Sequence, residues 1–113
     1  IGHIVLIADK DAFISVSGAT KKDYIERKIS SELESVMDGR KSIIITESNK
    51  TIPLHNDEDP GEYTSQVIAP IIAEGDAIGA VLIVSKEQDN EFGELQLKLV
   101  ETAAAFLGKQ MEQ

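Results

Sequence analysis

The feature that most constrains the fold is the apolar segment from Tyr63 to Lys86, which reads YTSQVIAPIIAEGDAIGAVLIVSK. Two runs rich in valine and isoleucine, Ser65–Ile72 and Ile78–Ser85, flank a turn at Ala73–Ala77 that contains a Gly-Asp pair. Glycine and aspartate tolerate the backbone of a tight turn, so the segment predicts a β-hairpin. Because both strands are apolar on nearly every residue, each should be covered on both faces, and we expect the hairpin in the middle of a sheet.

Two residues inside these predicted strands need a physical explanation. Gly79 weakens a strand unless another group lies close to it, and we favour close packing by a helix or a bulge over contact with a ligand. Pro70 has no N–H to donate, so its nitrogen should face away from a neighbouring strand or lie at a bulge.

The first part of the chain predicts a second hairpin and a helical region. Two short apolar runs, HIVLIA and FISV, are separated by the turn-forming residues Asp9–Asp11. The pattern then changes to helical spacing, with capping boxes that begin at Thr20 and at Ser31 and a glycine, Gly39, at the end. We interpret this region as two short helices, or as one helix broken near Ser30.

The remaining segments add further strands and a last helix. Ser42–Thr46 is β-branched and predicts a strand, Thr51–Leu54 predicts a shorter one interrupted by a proline, and the acidic run His55–Glu62 predicts a solvated loop. From Phe92 to Met111 apolar residues recur at helical spacing, and the small residues Ala103–Ala105 would let another backbone approach closely. The order β-β-α-α-β-β-β-β-α with short turns predicts an α+β domain, a largely antiparallel sheet covered by helices.

Length and charge restrict the class of protein. The 113 residues suffice for a single domain over residues 1–113. Twenty acidic against eleven basic residues give a formal net charge of −9, which repels phosphate backbones, so we expect no nucleic-acid binding by this segment alone. Cysteine is absent and no apolar run has the length of a membrane span, which favours an intracellular protein without a membrane partner. Because the chain does not begin with methionine, we expect it to be part of a longer protein.

The sequence contains no recognisable catalytic or metal-binding motif. Its only histidines, His3 and His55, are far apart, and the acidic loop lacks the glycine and terminal glutamate of a calcium loop. The nucleophile-elbow, zinc-protease and phosphate-loop patterns are also missing. We therefore expect no enzyme, no metal and no cofactor, and we interpret His3 as structural. Arg40 has two open interpretations: contact with an anionic ligand, or the favoured surface ion pair with Glu34 or Asp38.

Several segments together resemble a known family. The hairpin VIAPIIAEGDAIGAVLIVSK resembles the central hairpin of GAF domains, which are small-molecule sensing modules. With GHIVLIADKDAFISVSG, TKKDYIERKISSELESVMDGR and VETAAAFLGKQMEQ in the same order, the whole chain resembles the C-terminal GAF-like domain of the stage V sporulation protein T family, AbrB-type transcription regulators of spore-forming bacteria. The cyclic-nucleotide motif, the chromophore cysteine and the cysteines of methionine-sulfoxide-reducing GAF enzymes are absent, so those activities are not implied.

This resemblance implies a longer regulator with an N-terminal AbrB-like DNA-binding domain outside this chain, acting in the cytoplasm and specifically in the forespore, as an activator and repressor of sporulation genes. It also implies a ligand site between the sheet and the region Ile29–Thr46, and a dimer bundle that involves Glu94–Gln113. The residues that we expect to contact an unidentified small ligand are Arg40, Ile44, Thr46 and Gln66.

The last helix has more apolar positions than one sheet face needs, which predicts self-association as a homodimer or a higher oligomer. The residues that we expect at this surface are Leu99, Ala103, Phe106 and Met111. Two hypotheses of function remain open. One is a regulatory sensor whose ligand changes the geometry of a dimer or tetramer and hence DNA binding, and the other is a ligand-free dimerisation scaffold.

Overall fold

The computed structural model describes residues 2–59, 61–88 and 92–112. The strands and helices in chain order are β1 His3–Asp9, β2 Phe13–Ser17, α1 Ser31–Gly39, β3 Ile43–Ile45, β4 Ser65–Ala73, β5 Asp76–Ser85 and α2 Glu94–Met111. In the described residues the strands form one five-stranded sheet in the spatial order β2-β1-β5-β4-β3, with antiparallel pairing throughout. The predicted α+β class with an antiparallel sheet is confirmed.

The central hairpin lies in the middle of the sheet, as predicted, because β5 pairs with β1 on one side and β4 on the other. The turn is shorter than predicted and consists of Glu74 and Gly75, between the paired residues Ala73 and Asp76. Both turn residues have positive φ, 52° and 84°. Two such residues form a turn whose twist matches that of the two strands.

Gly79 is explained by the neighbouring strand. A Cβ at this position would overlap the carbonyl oxygen of Ala8 in β1. The β4–β5 register also shifts between Ile71 and Ile72, so Gly79 lies beside a bulge. Pro70 lies beyond the end of β3, which pairs with residues 66–68 of β4, and so it interrupts no β3 pairing.

Each face of the sheet carries its own hydrophobic core. On the face that we call the α1 face, α1 and the loops cover a larger cluster that includes Leu6, Phe13, Leu33, Leu54 and Leu82. On the opposite α2 face, α2 covers a smaller cluster centred on β4 and β5 that includes Val67, Val81 and Val100. Both strands of the central hairpin are buried on both faces, which explains their continuous apolar sequence.

Helix α1 differs from its prediction at both ends. The cap is Ser30 rather than Ser31, because the Ser30 hydroxyl oxygen accepts a hydrogen bond from the Leu33 N–H at 3.0 Å. At the other end Gly39 is still helical, and Arg40 takes the left-handed conformation with φ 59°. The carboxyl end is thus closed by a non-glycine residue.

The helix predicted from Thr20 is wrong beyond one short turn at Lys21–Asp23, which the Thr20 side chain does not cap. The chain that follows is held by backbone hydrogen bonds to the first hairpin: the Glu26 N–H donates to the Phe13 carbonyl and the Ile29 N–H donates to the Asp11 carbonyl. These tertiary bonds replace the local ones that a helix would require.

The strand predicted at Thr51–Leu54 is also wrong, because side chains satisfy its backbone. The Ile52 N–H and carbonyl both bond to the side-chain amide of Gln66, at 2.9 and 2.7 Å. The Leu54 N–H donates to the Glu58 carboxylate, and its carbonyl accepts from the Ser30 N–H. This segment therefore covers the sheet without joining it.

Helix α2 confirms the predicted amphipathic helix and packs through Val100, Ala104 and Gly108. The closest approach to the sheet is at Gly108, where a Cβ would overlap the Ile72 carbonyl oxygen, a contact that the sequence analysis missed. Of the predicted small residues only Ala104 is buried. Within the described ranges, no helix combines the length and the apolar character needed to cross a membrane.

Candidate functional site

A buried network of four polar side chains lies on the α1 face, and we call it the tyrosine network. It consists of Tyr24, His55, Glu58 and Tyr63. The two tyrosine hydroxyls are 2.8 Å apart, and the Tyr63 hydroxyl donates to Glu58 Oε2. His55 Nε2 lies 3.5 Å from the same carboxylate oxygen. The Glu58 side chain is only 5% exposed. A carboxylate is stable inside a protein only when it has hydrogen-bond partners, and the network supplies them.

The protonation of the two tyrosines sets the direction of these hydrogen bonds. Burial raises the pKa of Tyr24 to about 12. Burial and the hydrogen bond to Glu58 raise the pKa of Tyr63 as well. Both hydroxyls therefore keep their protons at neutral pH. Because the Tyr63 proton is donated to Glu58, Tyr24 is the donor to the Tyr63 oxygen.

The acidic loop folds partly inward to build this network, so its predicted solvation is wrong for His55 and Glu58. Glu58 Oε1 accepts from the Leu54 N–H at 2.6 Å, and His55 Nδ1 accepts from the Asp57 N–H at 3.2 Å. The other ring nitrogen, Nε2, faces Glu58. Asp57, Asp59 and Glu62 do face solvent. Pro60 lies outside the described residues.

A cavity of about 310 Å³ opens over this network, and we call it the charged pocket. It lies between the segment after β2, the acidic loop and the end of β5. Besides Tyr24 and His55, its lining consists of the charged residues Asp23, Arg27, Asp57, Glu58, Glu62 and Lys86.

The two cations of the charged pocket are each paired with one carboxylate. Arg27 Nη1 donates to Asp57 Oδ2 at 2.6 Å. Lys86 Nζ lies 3.6 Å from Glu62 Oε1, and it also lies 5.4 Å from the centroid of the Tyr63 ring. The pocket thus combines carboxylates with two partly exposed cations, one of which covers the ring of the buried Tyr63. Such an arrangement recognises polar or charged ligands.

A second, larger cavity of about 460 Å³ lies beside α2 and contains the predicted residue Arg40. The favoured ion pair of Arg40 with Glu34 or Asp38 is not seen among the described residues, since the guanidinium donates to backbone carbonyl oxygens. Its contact with an anionic ligand stays a prediction. Nε donates to Gly75 at 3.0 Å and Nη1 donates to Asp38 at 3.0 Å. The side chain joins the end of α1 to the central turn, and Lys109 is the other cation of this groove.

The structure does not bring the four predicted ligand residues together. Ile44 pairs with Val67, on the α2 face, whereas Gln66 is fully buried among the loops of the α1 face and bonds to Ile52. Thr46 is exposed just after β3. Contact of these residues with a ligand stays a prediction.

The predicted self-association residues fall into three groups. Leu99 and Phe106 are 53% and 63% exposed, and with Leu95, which is 68% exposed, they form one stripe within about 40° around the helix axis. We call these three residues the α2 stripe. Ala103 packs instead against the core of the α2 face. Met111 is exposed elsewhere, beside Ile14 at the end of the sheet that α2 does not cover.

Each of the two histidines contacts an aromatic side chain. His3 contacts Phe92 edge-to-face with ring centroids 5.0 Å apart, in agreement with the structural interpretation. In the part of the chain that the structure describes, His, Cys, Asp and Glu side chains nowhere form a group of three suited to a metal ion.

The tyrosine network and the charged pocket were not predicted from the sequence. A signal was nevertheless available, because the chain contains only two tyrosines. A buried tyrosine hydroxyl needs a partner, and an acidic loop directly before Tyr63 supplies one. The pairing with Tyr24, 39 residues away, follows only from the fold.

Comparisons with known proteins agree with this architecture. Residues 1–112 match the family model described as stage V sporulation protein T C-terminal, transcription factor. The chain is 50% identical over 115 residues to stage V sporulation protein T of Bacillus subtilis (strain 168), and the match covers all of this chain but 61% of that protein. The chain thus spans less than two thirds of its relative.

Solved structures resemble the chain in fold alone. The GAF domain of a phosphoenolpyruvate-protein phosphotransferase from Coxiella burnetii matches with a TM-score of 0.71 at 16% identity, covering 97% of this chain and 71% of that one. A GAF domain/HD domain protein from Geobacter sulfurreducens matches with a TM-score of 0.68 at 15% identity, covering 96% and 80%. The chain therefore has a GAF fold and belongs to the family whose model is described as stage V sporulation protein T C-terminal, transcription factor.

Proposed function

We propose that this chain is the regulatory domain of a sporulation transcription regulator. A small molecule binds the domain and changes the geometry of a dimer or tetramer, and this change alters DNA binding by an N-terminal domain outside the chain. The intact protein acts in the cytoplasm of the forespore. The domain itself is not an enzyme, and its net charge of −9 leaves DNA contact to the other domain.

The observation that carries this proposal is the charged pocket over the tyrosine network. A cavity of about 310 Å³ is within the range of small-molecule sites, and its lining converges on a carboxylate that is almost fully buried. A core formed only to stabilise the domain would be expected to avoid such a group, because burying a carboxylate costs free energy that apolar packing does not.

The α2 stripe supports the assembly part of the proposal. Three large apolar side chains, Leu95, Leu99 and Phe106, are exposed on the same outer side of α2. An exposed apolar row on a helix is typical of helix-to-helix association. A ligand changes such an assembly only if it binds one arrangement more tightly than the other.

The alternative function is a ligand-free dimerisation scaffold. The α2 stripe favours this function when it is considered without the charged pocket. This function is also favoured by the apolar core of the α1 face, which fills much of the space between sheet and α1. On this alternative the charged pocket is a solvated surface feature, and variants that fill it leave DNA binding unchanged.

The test uses the intact protein from sporulating cells, analysed by native mass spectrometry and by DNA-binding titration. The variant Glu62→Trp fills the charged pocket, and Glu74→Trp, at the opposite end of the sheet, is its matched control. The sensor proposal expects a retained small molecule that only Glu62→Trp loses, with a changed DNA affinity. If no molecule is retained and only a stripe variant such as Phe106→Glu changes DNA binding, the domain is a scaffold.

A further inference from the structure

The charge balance of the charged pocket selects among ligand classes. Its lining carries four carboxylates, from Asp23, Asp57, Glu58 and Glu62, against the two cations Arg27 and Lys86, so two negative charges remain in excess. The carboxylates outnumber the cations even if His55 is counted as a third positive charge. A site with this balance repels phosphates and carboxylates and attracts cations.

The pocket already holds an ammonium group of the protein itself. Lys86 Nζ lies 5.4 Å from the centroid of the Tyr63 ring and 3.6 Å from Glu62 Oε1. An aromatic face combined with a carboxylate is the chemistry by which proteins recognise organic ammonium ions. The Lys86 side chain is 46% exposed, so this ammonium group can move away into solvent and be replaced.

A metal ion fits this environment poorly. Within the described ranges the carboxylates do not converge into a metal-binding group of three. They are instead distributed around the cavity, two of them bonded to cations of the protein, with room left for a molecule of several atoms.

We propose that the charged pocket binds a small organic ammonium ligand, whose amino group takes the place of Lys86 Nζ between the Tyr63 ring and Glu62. A second amino group, where the ligand has one, is directed towards Asp23, the exposed carboxylate on the other side of the lining. This inference rests on the proposed function and names the class of ligand that regulates the domain.

The experiment measures binding of 1,4-diaminobutane to the intact protein by isothermal titration calorimetry at fixed ionic strength. Glutarate at the same concentration is the anionic probe, and sodium chloride replaces either probe in the blank. The variants are Glu62→Gln and its matched control Glu74→Gln, which removes the same charge from the central turn at the far end of the sheet. A circular dichroism melt of each variant establishes that it is folded.

We expect saturable binding of the diamine and none of glutarate. Loss of one charge-assisted contact should weaken the affinity of Glu62→Gln by about tenfold, with Glu74→Gln unchanged. The proposal is overturned by preferential glutarate binding, by no diamine binding, or by equal weakening in both variants, which indicates a general charge effect.

The same measurement separates this inference from the proposed function. If the diamine does not bind but Glu62→Trp still releases a retained molecule of another class, the ligand class is wrong and the sensor function stands. If no molecule is retained and the pocket variants leave DNA binding unchanged, both fail.

Discussion

The two faces of the sheet are closed in different ways. On the α1 face a short helix and long loops cover the strands, and the loops bring the polar groups of the tyrosine network into the interior. On the α2 face a single helix packs through small side chains and leaves the α2 stripe outside. A face with a polar interior and a cavity is suited to a ligand, and a face with an apolar exterior is suited to another protein surface.

The two faces differ because loops cover one of them and a helix covers the other. Loops have backbone groups that need partners, and here side chains such as Gln66, Ser30 and Glu58 supply them. A helix satisfies its own backbone, so the covering of the α2 face needs no buried polar side chain. The proposed ligand recognition and the proposed assembly are therefore each assigned to the face whose covering suits them.

The largest expected effect on stability distinguishes the buried core of the α1 face from the exposed α2 stripe. Leu33→Ala removes a fully buried side chain from the core of the α1 face and should lower the free energy of unfolding by about 3 kcal/mol. The control Leu95→Ala, on the α2 stripe, should change it by less than about 0.5 kcal/mol. Urea denaturation of both variants measures the difference. Equal losses would mean that the stripe is part of the folded core.

The next effect compares one helical glycine on each face. Gly108→Ala places a methyl group against the Ile72 carbonyl oxygen, so α2 must move and stability should fall by about 2 kcal/mol. Gly39→Ala, on α1, meets open space and should raise stability by about 0.5 kcal/mol, because alanine restricts the unfolded chain. Thermal unfolding measures whether each variant is more or less stable than the unmodified chain. A stable Gly108→Ala protein would contradict the close contact of α2 with the sheet.

The smallest effect at neutral pH tests the tyrosine network. Tyr24→Phe removes the donor to Tyr63 and should cost about 1 kcal/mol at pH 7. Burial raises the pKa of Tyr24 to about 12, so the folded protein keeps a proton that the unfolded chain loses near pH 10. The free energy of unfolding should therefore fall above pH 10, by about 1.4 kcal/mol per pH unit for each such tyrosine.

The variant should show a shallower decline than the unmodified chain between pH 10 and about 12, where the contribution of Tyr24 is lost. Urea denaturation at several pH values measures both slopes. Parallel slopes would show that Tyr24 titrates normally and that its hydroxyl is open to water.

The strands and α2 could be predicted because their signals are local and repeated. The central hairpin follows from two β-branched runs around a turn, and α2 follows from apolar residues at helical spacing. The segments after Thr20 and Thr51 could not be predicted, since their backbone partners are residues of β2 and the side chain of Gln66. Such partners are fixed by tertiary contacts and leave no periodic pattern.

The sequence by itself determined the fold class, the sheet position of the hairpin and the amphipathic α2, because these depend on the order of apolar residues along the chain. Only the tertiary structure decided that Tyr24, His55, Glu58 and Tyr63 form one buried network and that the α2 stripe stays outside. Both depend on which loop covers which face. Which loop covers which face depends on long-range packing and hydrogen bonding. These contacts cannot be predicted from the type and spacing of single residues.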